Sequence, residues 1–368
     1  MAVRIGLLTF FESDNYGTVL QAYALQHYLE SKGHEVELIQ IKRKVNAASQ
    51  HYSNITAYYS LLERVRIKVS SSIQKYNEEK KIVAFKQFRD KHLHIAEKCY
   101  NTDEELLCDL PRYDLYLSGG DQIWNPYHKV FSYHYMFDFL PKEVSRASYS
   151  SSFGVAAIME QEILNKMSTL LADYKAISVR EESGVKILSQ MGINGEAVLD
   201  PVFLIEDRWK KLTSAYIQPK ERYCLVYSLV DYPKKEDEII RDFAEKNHLK
   251  IVVLPSNRHN YSTGYRKEFA AGPERFLTLI ANAEHIFTNS FHGMAFAIIF
   301  KKQFSLLSSV SAESTSKRDR LSNLLNILLL PQRPVVVQPE HIDYMLCSSR
   351  LDEYKDRSYK YLENVLRY

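Results

Sequence analysis

Several features that identify common protein classes are missing from this sequence. Its four cysteines are far apart and form no Cys-x-x-Cys pair, which disfavours a zinc site or a disulfide framework and fits a reducing cytosol. No run of 18 apolar residues occurs, so we expect no membrane-spanning helix. The 48 basic and 45 acidic residues nearly cancel, which argues against a nucleic-acid-binding coat. A Gly-x-Gly-x-x-Gly loop is also absent, which disfavours a nicotinamide dinucleotide.

Alternating strands and helices dominate what is present. Residues 3–9 are apolar, too short a run for a signal peptide, and are interpreted as a buried strand. A loop, a helix over 18–32 and a strand over 35–40 complete one βαβ unit. Further strands are predicted at 114–118, 146–152, 176–180, 197–200, 223–229, 249–254, 285–288 and 303–307.

This alternation predicts an α/β protein with two domains and ligands at the carboxyl ends of parallel strands. We place the first domain at 1–205, the second at 219–350, and a final helix at 351–368 that could cross back to the first. Within the first, 41–98 is predicted to be a helical insertion with 13 basic against 5 acidic residues. That excess suits either a solvated helical face or attraction to anionic lipid headgroups or an anionic acceptor.

Two loops of the first domain concentrate polar residues after predicted strands. Asp14 and Asn15 precede the first helix, where they could cap it or reach the cleft. After the strand at 114–118, two glycines are followed by a polar and aromatic cluster. Its tryptophan could stack on a sugar or be buried within a structural turn. The cluster consists of Asp121, Gln122, Trp124 and Asn125.

Two further turns carry cationic side chains. Arg180 ends a strand just before a helix, where it could fork onto a phosphate or carboxylate or pair with a neighbouring glutamate. His292 lies on a strand-to-helix turn, with Ser290 as a candidate cap and Gly293 allowing close backbone approach. It could serve as an acid, bind an anion or be structural. Arg318 and Arg320 could face the same cleft.

Together these segments resemble the polysaccharide pyruvyl transferase family over nearly the whole chain. The resemblance implies a GT-B-like pair of Rossmann-type domains with parallel sheets facing a central cleft. It also implies phosphoenolpyruvate as the donor of a pyruvate ketal formed on two sugar hydroxyls. The segments that carry the resemblance are Asp14–Leu25, Gly119–Pro126, Ser178–Gly184, Val198–Pro201, Thr288–Gly293 and Arg320–Leu325.

On this resemblance, the first domain holds the acceptor and the second the donor. Family members with Arg-Leu-His at the late turn use that arginine for the donor, whereas this chain has Ser290, so Arg318 or Arg320 could substitute. His292 is the expected acid or phosphate contact, with Asp14 or Asp121 as the base. The expected donor-binding residues are Arg180, Ser290, His292, Gly293, Arg318 and Arg320, and the expected acceptor-binding residues are Asn15, Tyr16, Gln122, Trp124 and Asn125.

The expected partners follow from the same resemblance. The donor is phosphoenolpyruvate and the acceptor a lipid-linked oligosaccharide of surface polysaccharide synthesis, with no cofactor, metal or nucleic acid. The protein is then expected in the cytoplasm, with the basic region at 41–98 toward the inner membrane leaflet. Two other functions stay open: a GT-B glycosyltransferase that uses a nucleotide sugar, and a non-catalytic glycan-binding assembly protein.

Overall fold

Two five-stranded parallel sheets form the framework of the chain. The computed structural model describes residues 2–42, 61–128, 130–214, 221–256, 264–309 and 314–367. The first sheet has the order β3-β2-β1-β4-β5 and the second the order β10-β9-β8-β11-β12. A short parallel pair, β6-β7, continues the first sheet beyond β5 through single bridges. The strands are β1 (Arg4–Leu8), β2 (Glu35–Ile41), β3 (Ile95–Tyr100), β4 (Leu115–Gly119), β5 (Arg146–Tyr149), β6 (Ser178–Val179), β7 (Glu196–Ala197), β8 (Tyr223–Tyr227), β9 (Lys250–Leu254), β10 (Arg266–Lys267), β11 (His285–Thr288) and β12 (Gln303–Leu306).

Helices provide most of the crossovers that parallel pairing requires, and they cover the sheet faces. Because the central strands are buried on both faces, they are almost wholly apolar, as in β1 and β8. The helices are α1 (Tyr16–Ser31), α2 (Leu61–His92), α3 (Asp103–Asp109), α4 (Gln161–Leu171), α5 (Glu182–Gln190), α6 (Glu206–Ser214), α7 (Lys234–Lys246), α8 (Pro273–Asn282), α9 (Phe291–Ile299), α10 (Ser314–Ile327) and α11 (Tyr344–Val365).

The predicted α/β fold with parallel sheets is confirmed, and most predicted strands agree with the structure to within a few residues. The prediction of helices through 41–98 is wrong at its end, because residues 95–100 form the edge strand β3. That segment carries two exposed charged residues, Glu97 and Lys98, between apolar residues, which suits an edge strand paired on one side only. Residues 43–60 of the same prediction lie outside the described part of the chain.

Close packing joins the two sheets. Tyr16 at the start of α1 stacks on Phe276 of α8 with ring centroids 4.3 Å apart, and its hydroxyl donates to the carbonyl of Ala271. Helix α2 reaches both sides, because Arg89 pairs with Asp14 at 3.0 Å and His92 lies 3.0 Å from Glu274 of α8. One apolar core therefore extends across the join.

The C-terminal helix α11 also contacts the first sheet. The hydroxyl of Tyr361 donates to the carbonyl of Ser148 over 2.7 Å, and the Ser358 hydroxyl oxygen accepts the backbone N–H of Leu199. The chain therefore returns from the second sheet to the first at its end. None of the helices described in the structure combines the length and apolarity needed to cross a membrane.

Candidate functional site

The candidate site lies where strands of the two sheets end and face each other. In a parallel sheet all carboxyl ends lie on one edge, so loops distant in sequence meet there. Gly17 follows β1, Asp121 follows β4 and Arg180 follows β6 in the first half of the chain. His292 follows β11 and projects from the second half. Four of the segments singled out in the sequence therefore meet at one place.

Arg180 is buried and occupied by protein partners. Its Nε lies 3.0 Å from Glu181 Oε1, its Nη1 2.9 Å from Asp200 Oδ2, and its Nη2 3.0 Å from Ser152 Oγ. The guanidinium carbon also lies 4.5 Å from the centre of the Phe291 ring, a cation–π contact. Each nitrogen of the guanidinium thus has a protein partner, and Nη1 and Nη2 each carry a second N–H, so the expected donor contact by Arg180 stays a prediction. The geometry makes Arg180 an organiser of carboxylates.

Asp200 connects that arginine to His292. Its Oδ1 accepts the backbone N–H of Val202 and so caps a short 3₁₀ helix, while Oδ2 lies 3.5 Å from His292 Nε2. Burial alone would raise the pKa of Asp200, but His292 and Arg180 together lower it to about 2. Asp200 is therefore ionised at neutral pH and provides a fixed negative charge beside the imidazole.

His292 is held from the opposite side by the backbone of Gly17. A β-carbon built on Gly17 would lie 2.0 Å from His292 Nδ1, far inside contact distance. Only glycine leaves room for the ring at this position. The His292 side chain is 8% exposed, and its Nε2 has no hydrogen-bond partner despite the nearby carboxylate. At 3.5 Å the Asp200 contact is longer than an ordinary N–H···O hydrogen bond, so this nitrogen is buried with its hydrogen-bonding capacity unmet.

Two further buried atoms around this cluster are unsatisfied. They are Nε of Arg320, which begins the described side chains of α10, and Oε2 of Glu181. Burial and the positive charge of Arg180 both lower the pKa of Arg320, while three nearby carboxylates oppose them. Arg320 is thus a described cation with spare donor capacity here. The side chain of Arg318 lies outside the described part, so its predicted role stays a prediction.

The two candidate bases occupy different environments. Asp121 lies 3.9 Å from Arg180 Nη1, and its Oδ2 accepts the hydroxyl of Thr18 over 2.9 Å. Burial would raise the pKa of Asp121, but Arg180, His292 and Arg320 lower it below its usual value. Asp14 instead pairs with Arg89 of α2 at 3.0 Å. Of the two, Asp121 is the carboxylate that shares the cluster with His292.

Two of the predicted acceptor residues are buried core residues. Trp124 is 0% exposed and donates its indole N–H to the carbonyl of Tyr135, so the expectation that it stacks on a sugar is wrong. Tyr16 is likewise wrong as a sugar contact, because it is buried between the two halves against Phe276. An aromatic residue in a polar loop has the same sequence pattern whether its ring is buried or stacks on a sugar, so the sequence could not distinguish the two roles.

The amide side chains of the predicted acceptor set stabilise local turns. Asn15 caps α1 by accepting the N–H of Thr18, as one of its two predicted roles required. Asn125 is buried, and its amide donates to Gln122 Oε1 over 3.0 Å. Gln122 also contacts Gly154, where a built β-carbon would meet it at 2.3 Å. These three hold the loops that present Asp121 and Gly17, and no acceptor contact follows from their geometry.

The turn before α9 forms as the sequence indicated. The Ser290 hydroxyl oxygen accepts the N–H of Gly293 over 3.2 Å and caps the helix. A β-carbon on Gly293 would lie 2.4 Å from the hydroxyl of Thr288, so glycine is required for the turn to close. Ser290 and Gly293 therefore set the direction of His292. A direct donor contact by either stays a prediction.

Sequence reasoning missed the role of Asp200. In the sequence, the Asp200-Pro201 pair enters only as part of the segments that carry the family resemblance. A helix cap before proline is a sufficient local reason for an aspartate, so the sequence held no separate signal for its contact with His292. Ser152 and Phe291, which hold Arg180, were also missed, because small and apolar residues at such turns carry no chemical signature.

Facing parallel sheets with a site between them define a fold class. A solved UDP-N-acetylglucosamine 2-epimerase from Rickettsia bellii is similar, with 11% identity, a TM-score of 0.50, and 100% of this chain and 97% of that chain covered. UDP-GlcNAc 2-epimerase from Neisseria meningitidis bound to UDP-GlcNAc has 12% identity, full coverage of both chains and a TM-score of 0.47. Arabidopsis thaliana UGT89C1 complexed with UDP-L-rhamnose has 8% identity, 100% and 94% coverage, and a TM-score of 0.47. The class is the GT-B type, and at such identities the likeness concerns the fold alone.

The family follows from the sequence match. The model of the family described as polysaccharide pyruvyl transferase matches residues 15–309, which is most of the chain and includes Asp121, Arg180, Asp200 and His292. The chain belongs to the polysaccharide pyruvyl transferase family. A search of curated proteins finds no match.

Proposed function

We propose that this protein transfers the enolpyruvyl group of phosphoenolpyruvate to a sugar of a surface polysaccharide or its lipid-linked precursor. The product is a pyruvate ketal on two hydroxyls, and inorganic phosphate is released. Family membership supports the class of reaction. The observation that carries the assignment is the buried, unpaired Nε2 of His292, held beside Asp200 at the edge where the two sheets meet.

The reaction needs a group that protonates phosphoenolpyruvate and a group that takes a proton from the sugar hydroxyl. A proton is added to the methylene carbon of the enolpyruvyl group while the first sugar hydroxyl bonds to C2 and loses its proton. The C2–O bond to phosphate then breaks and takes its electron pair with the phosphate, and the second hydroxyl bonds to C2. Its proton leaves with the phosphate or with a carboxylate. The proposed chemistry uses no metal or cofactor.

His292 is the acid or the phosphate contact in this proposal, and Asp121 is the base. The ionised carboxylate of Asp200 lies 3.5 Å from Nε2 and orients the imidazole, while Nε2 keeps its hydrogen-bonding capacity for the substrate. Asp121 is ionised and lies in the same cluster, whereas Asp14 is committed to Arg89. Arg180 acts through Asp200 and Glu181 as a positioning residue.

The charges of the cluster limit the positions at which the anionic donor can bind. The cluster holds three carboxylates, from Asp121, Glu181 and Asp200, against the two described arginines, Arg180 and Arg320. A donor with both a phosphate and a carboxylate adds negative charge, which would be repelled by the carboxylates themselves. We therefore place the donor toward Arg320 and His292, whose unpaired nitrogens can receive it.

The direct test is phosphate release from phosphoenolpyruvate by the purified protein, with and without a panel of free and lipid-linked galactosides, glucosides and mannosides. His292→Ala is the test variant and His94→Ala, a histidine that is 73% exposed, is the matched control. We expect acceptor-dependent release that His292→Ala abolishes and His94→Ala retains. Release that is equal in both variants would exclude the assignment of His292.

Thermal shift separates the other functions. A ligand that binds only the folded state raises its unfolding temperature. Stabilisation by phosphoenolpyruvate supports the proposal, stabilisation by a nucleotide sugar alone supports a glycosyltransferase, and stabilisation by a glycan alone supports a binding protein.

A lipid-linked acceptor would bring the protein to the inner leaflet of the membrane, and helix α2 provides the surface. Tyr76, Ile82 and Val83 are about half exposed, and Lys80 and Lys86 are exposed on the same helix. Lys86 pairs with Asp90, and Glu78 and Glu79 are also exposed, so the attraction to lipid rests on the apolar side chains and Lys80. Apolar side chains flanked by lysines suit an anionic lipid surface. We expect the protein to co-sediment with phosphatidylglycerol vesicles, and an Ile82→Ser, Val83→Ser variant to lose this binding. Equal sedimentation with phosphatidylcholine vesicles would contradict the proposed contact.

A further inference from the structure

A cavity of about 330 Å³ opens at the carboxyl ends of β2 and β3, in the first half of the chain. Residues 41–42 and 100–103 form one wall, and the loop residues 130–132 and 134–135 form the other. Its volume falls at the small end of the range for ligand pockets, which is roughly 300–1,000 Å³. None of the site residues predicted from sequence lines this cavity, and the chemistry proposed for His292 does not use it.

The cavity lies on the same sheet edge as the buried ionic cluster. Phe10, in the loop between β1 and α1, packs edge-on against Tyr135 of the cavity wall with centroids 4.7 Å apart. Trp124, three residues after Asp121, donates to the carbonyl of that same Tyr135 over 3.1 Å. Neighbouring strands are about 4.8 Å apart, so the ends of β2 and β3 lie roughly 10–15 Å from the end of β4, which leads to Asp121. A chain of a few sugar rings could therefore reach from the cavity to the cluster.

The lining suits a neutral ligand with many hydroxyls. Phe131 and Tyr135 provide aromatic surface, while Ser132 and Thr102 provide hydroxyl groups. His134 is fixed between two carboxylates, with Nδ1 2.7 Å from Asp138 and Nε2 3.2 Å from Asp103.

The Asp103 side chain is 72% exposed, so it can exchange its contact with the imidazole for one with a hydroxyl. Lys42 is the one lysine of the described lining, and the two carboxylates balance positive charge on His134, so the wall presents no cluster of cations for a phosphate. Aromatic surface beside balanced polar groups favours a sugar.

We infer that this cavity binds a sugar unit of the acceptor next to the one that reacts. The inference rests on the proposed function, in that the acceptor is a glycan chain. It adds the location of a second subsite and the statement that the acceptor is longer than one sugar. Phe131 provides the apolar face of this subsite, and Asp103 with His134 provides its polar side.

The test measures sugar binding without any donor. Saturation-transfer NMR with the methyl glycosides of galactose, glucose and mannose, and with lactose, cellobiose and mannobiose, reports binding to the wild-type protein. Phe131→Ala and Asp103→Asn are the test variants. Leu107→Ala is the matched control, because Leu107 lies on the same helix as Asp103 and is 64% exposed away from the cavity.

We expect a disaccharide to bind more tightly than any methyl glycoside, and both test variants to weaken its binding at least tenfold while Leu107→Ala leaves it unchanged. Asp103 is at the surface, so Asp103→Asn keeps the test valid if Phe131→Ala fails to fold. Absence of binding by the wild-type protein to every sugar in the panel, or unchanged binding in both test variants, would overturn the inference.

Failure of this inference is distinguishable from failure of the proposed function. If phosphoenolpyruvate releases phosphate but the variants bind disaccharides normally, the reaction stands and the subsite is wrong. If the variants lose disaccharide binding while the wild-type protein releases no phosphate, the subsite stands and the donor is wrong. If the proposed reaction and the subsite are both correct, Phe131→Ala should raise the KM for the acceptor and leave the KM for phosphoenolpyruvate unchanged.

Discussion

Replacing Gly17 by alanine tests whether His292 must lie where the structure holds it. The added β-carbon would be 2.0 Å from Nδ1, and ordinary contact begins at 3.4 Å, so the imidazole must move by about 1.4 Å. Gly17 lies in the first turn of α1 without a left-handed backbone, so alanine itself suits the helix and favours it by about 1 kcal/mol over glycine. The perturbation therefore acts on the position of His292 more than on the stability of the helix.

A displacement of this size has a large effect on a catalytic group. Misplacement by about 1 Å can cost about 100-fold in rate, which corresponds to about 2.7 kcal/mol in the activation barrier. We expect Gly17→Ala to lower acceptor-dependent phosphate release by at least this factor. The midpoint of thermal unfolding should change by no more than a few degrees, because the gain in the helix offsets part of the strain at the ring.

The control is Gly264→Ala, because a β-carbon at Gly264 would meet no atom of the described residues within 4 Å. It should retain wild-type release and stability. Phosphate release by Gly17→Ala at the wild-type rate would refute the reasoning, since the reaction would then not depend on the placement of His292. A fall in release accompanied by an equal fall in stability would instead assign Gly17 to folding.

Three other substitutions test the site and the fold. Asp200→Asn should lower the free energy of unfolding at pH 7 by about 2 kcal/mol, because the folded-state pKa of Asp200 is about 2 against an ordinary 3.8. This contribution is present above about pH 4 and is lost as the pH falls through 2. The free energies of unfolding of variant and wild type, measured in urea, should therefore converge in acid, and a difference independent of pH would contradict the prediction. Arg320→Gln should raise the KM for phosphoenolpyruvate about tenfold, or about 1.4 kcal/mol, with the acceptor KM unchanged; an unchanged donor KM would remove Arg320 from the donor site. Trp124→Ala should cost about 3–5 kcal/mol in urea unfolding and leave sugar binding by the folded protein intact. Loss of sugar binding at full stability would restore the sequence-based expectation.

Local sequence was sufficient for much of the architecture. The strand and helix alternation, the parallel sheets and the turns that carry Arg180 and His292 were all predicted correctly, because apolar periodicity and capping residues act over a few positions. The edge strand β3 was missed because its charged positions resemble a solvated helix face when its single pairing partner, β2, is unknown. The family could also be predicted from the sequence, because its motifs are short contiguous segments.

The partners of each side chain depended on tertiary structure. Arg180 and His292 had the same signature in sequence, a cation at a strand-to-helix turn. Folding surrounds Arg180 with Glu181, Asp200 and Ser152, while it leaves Nε2 of His292 without a hydrogen bond. Trp124 likewise became a core residue through contacts with Tyr135 and its neighbours.

The physical reason for this difference is that some properties of a residue depend on its neighbours in sequence and others on residues far away in the chain. Backbone conformation and amphipathic pattern are set by neighbours within one or two turns of chain, so this sequence by itself determined the order and type of most of its elements. Burial and ion pairing depend on atoms brought together from distant positions, as when Asp200, Gly17 and His292 meet between two sheets. For that reason only the tertiary structure decided which of the polar residues at this edge are satisfied within the protein and which are left without a hydrogen bond.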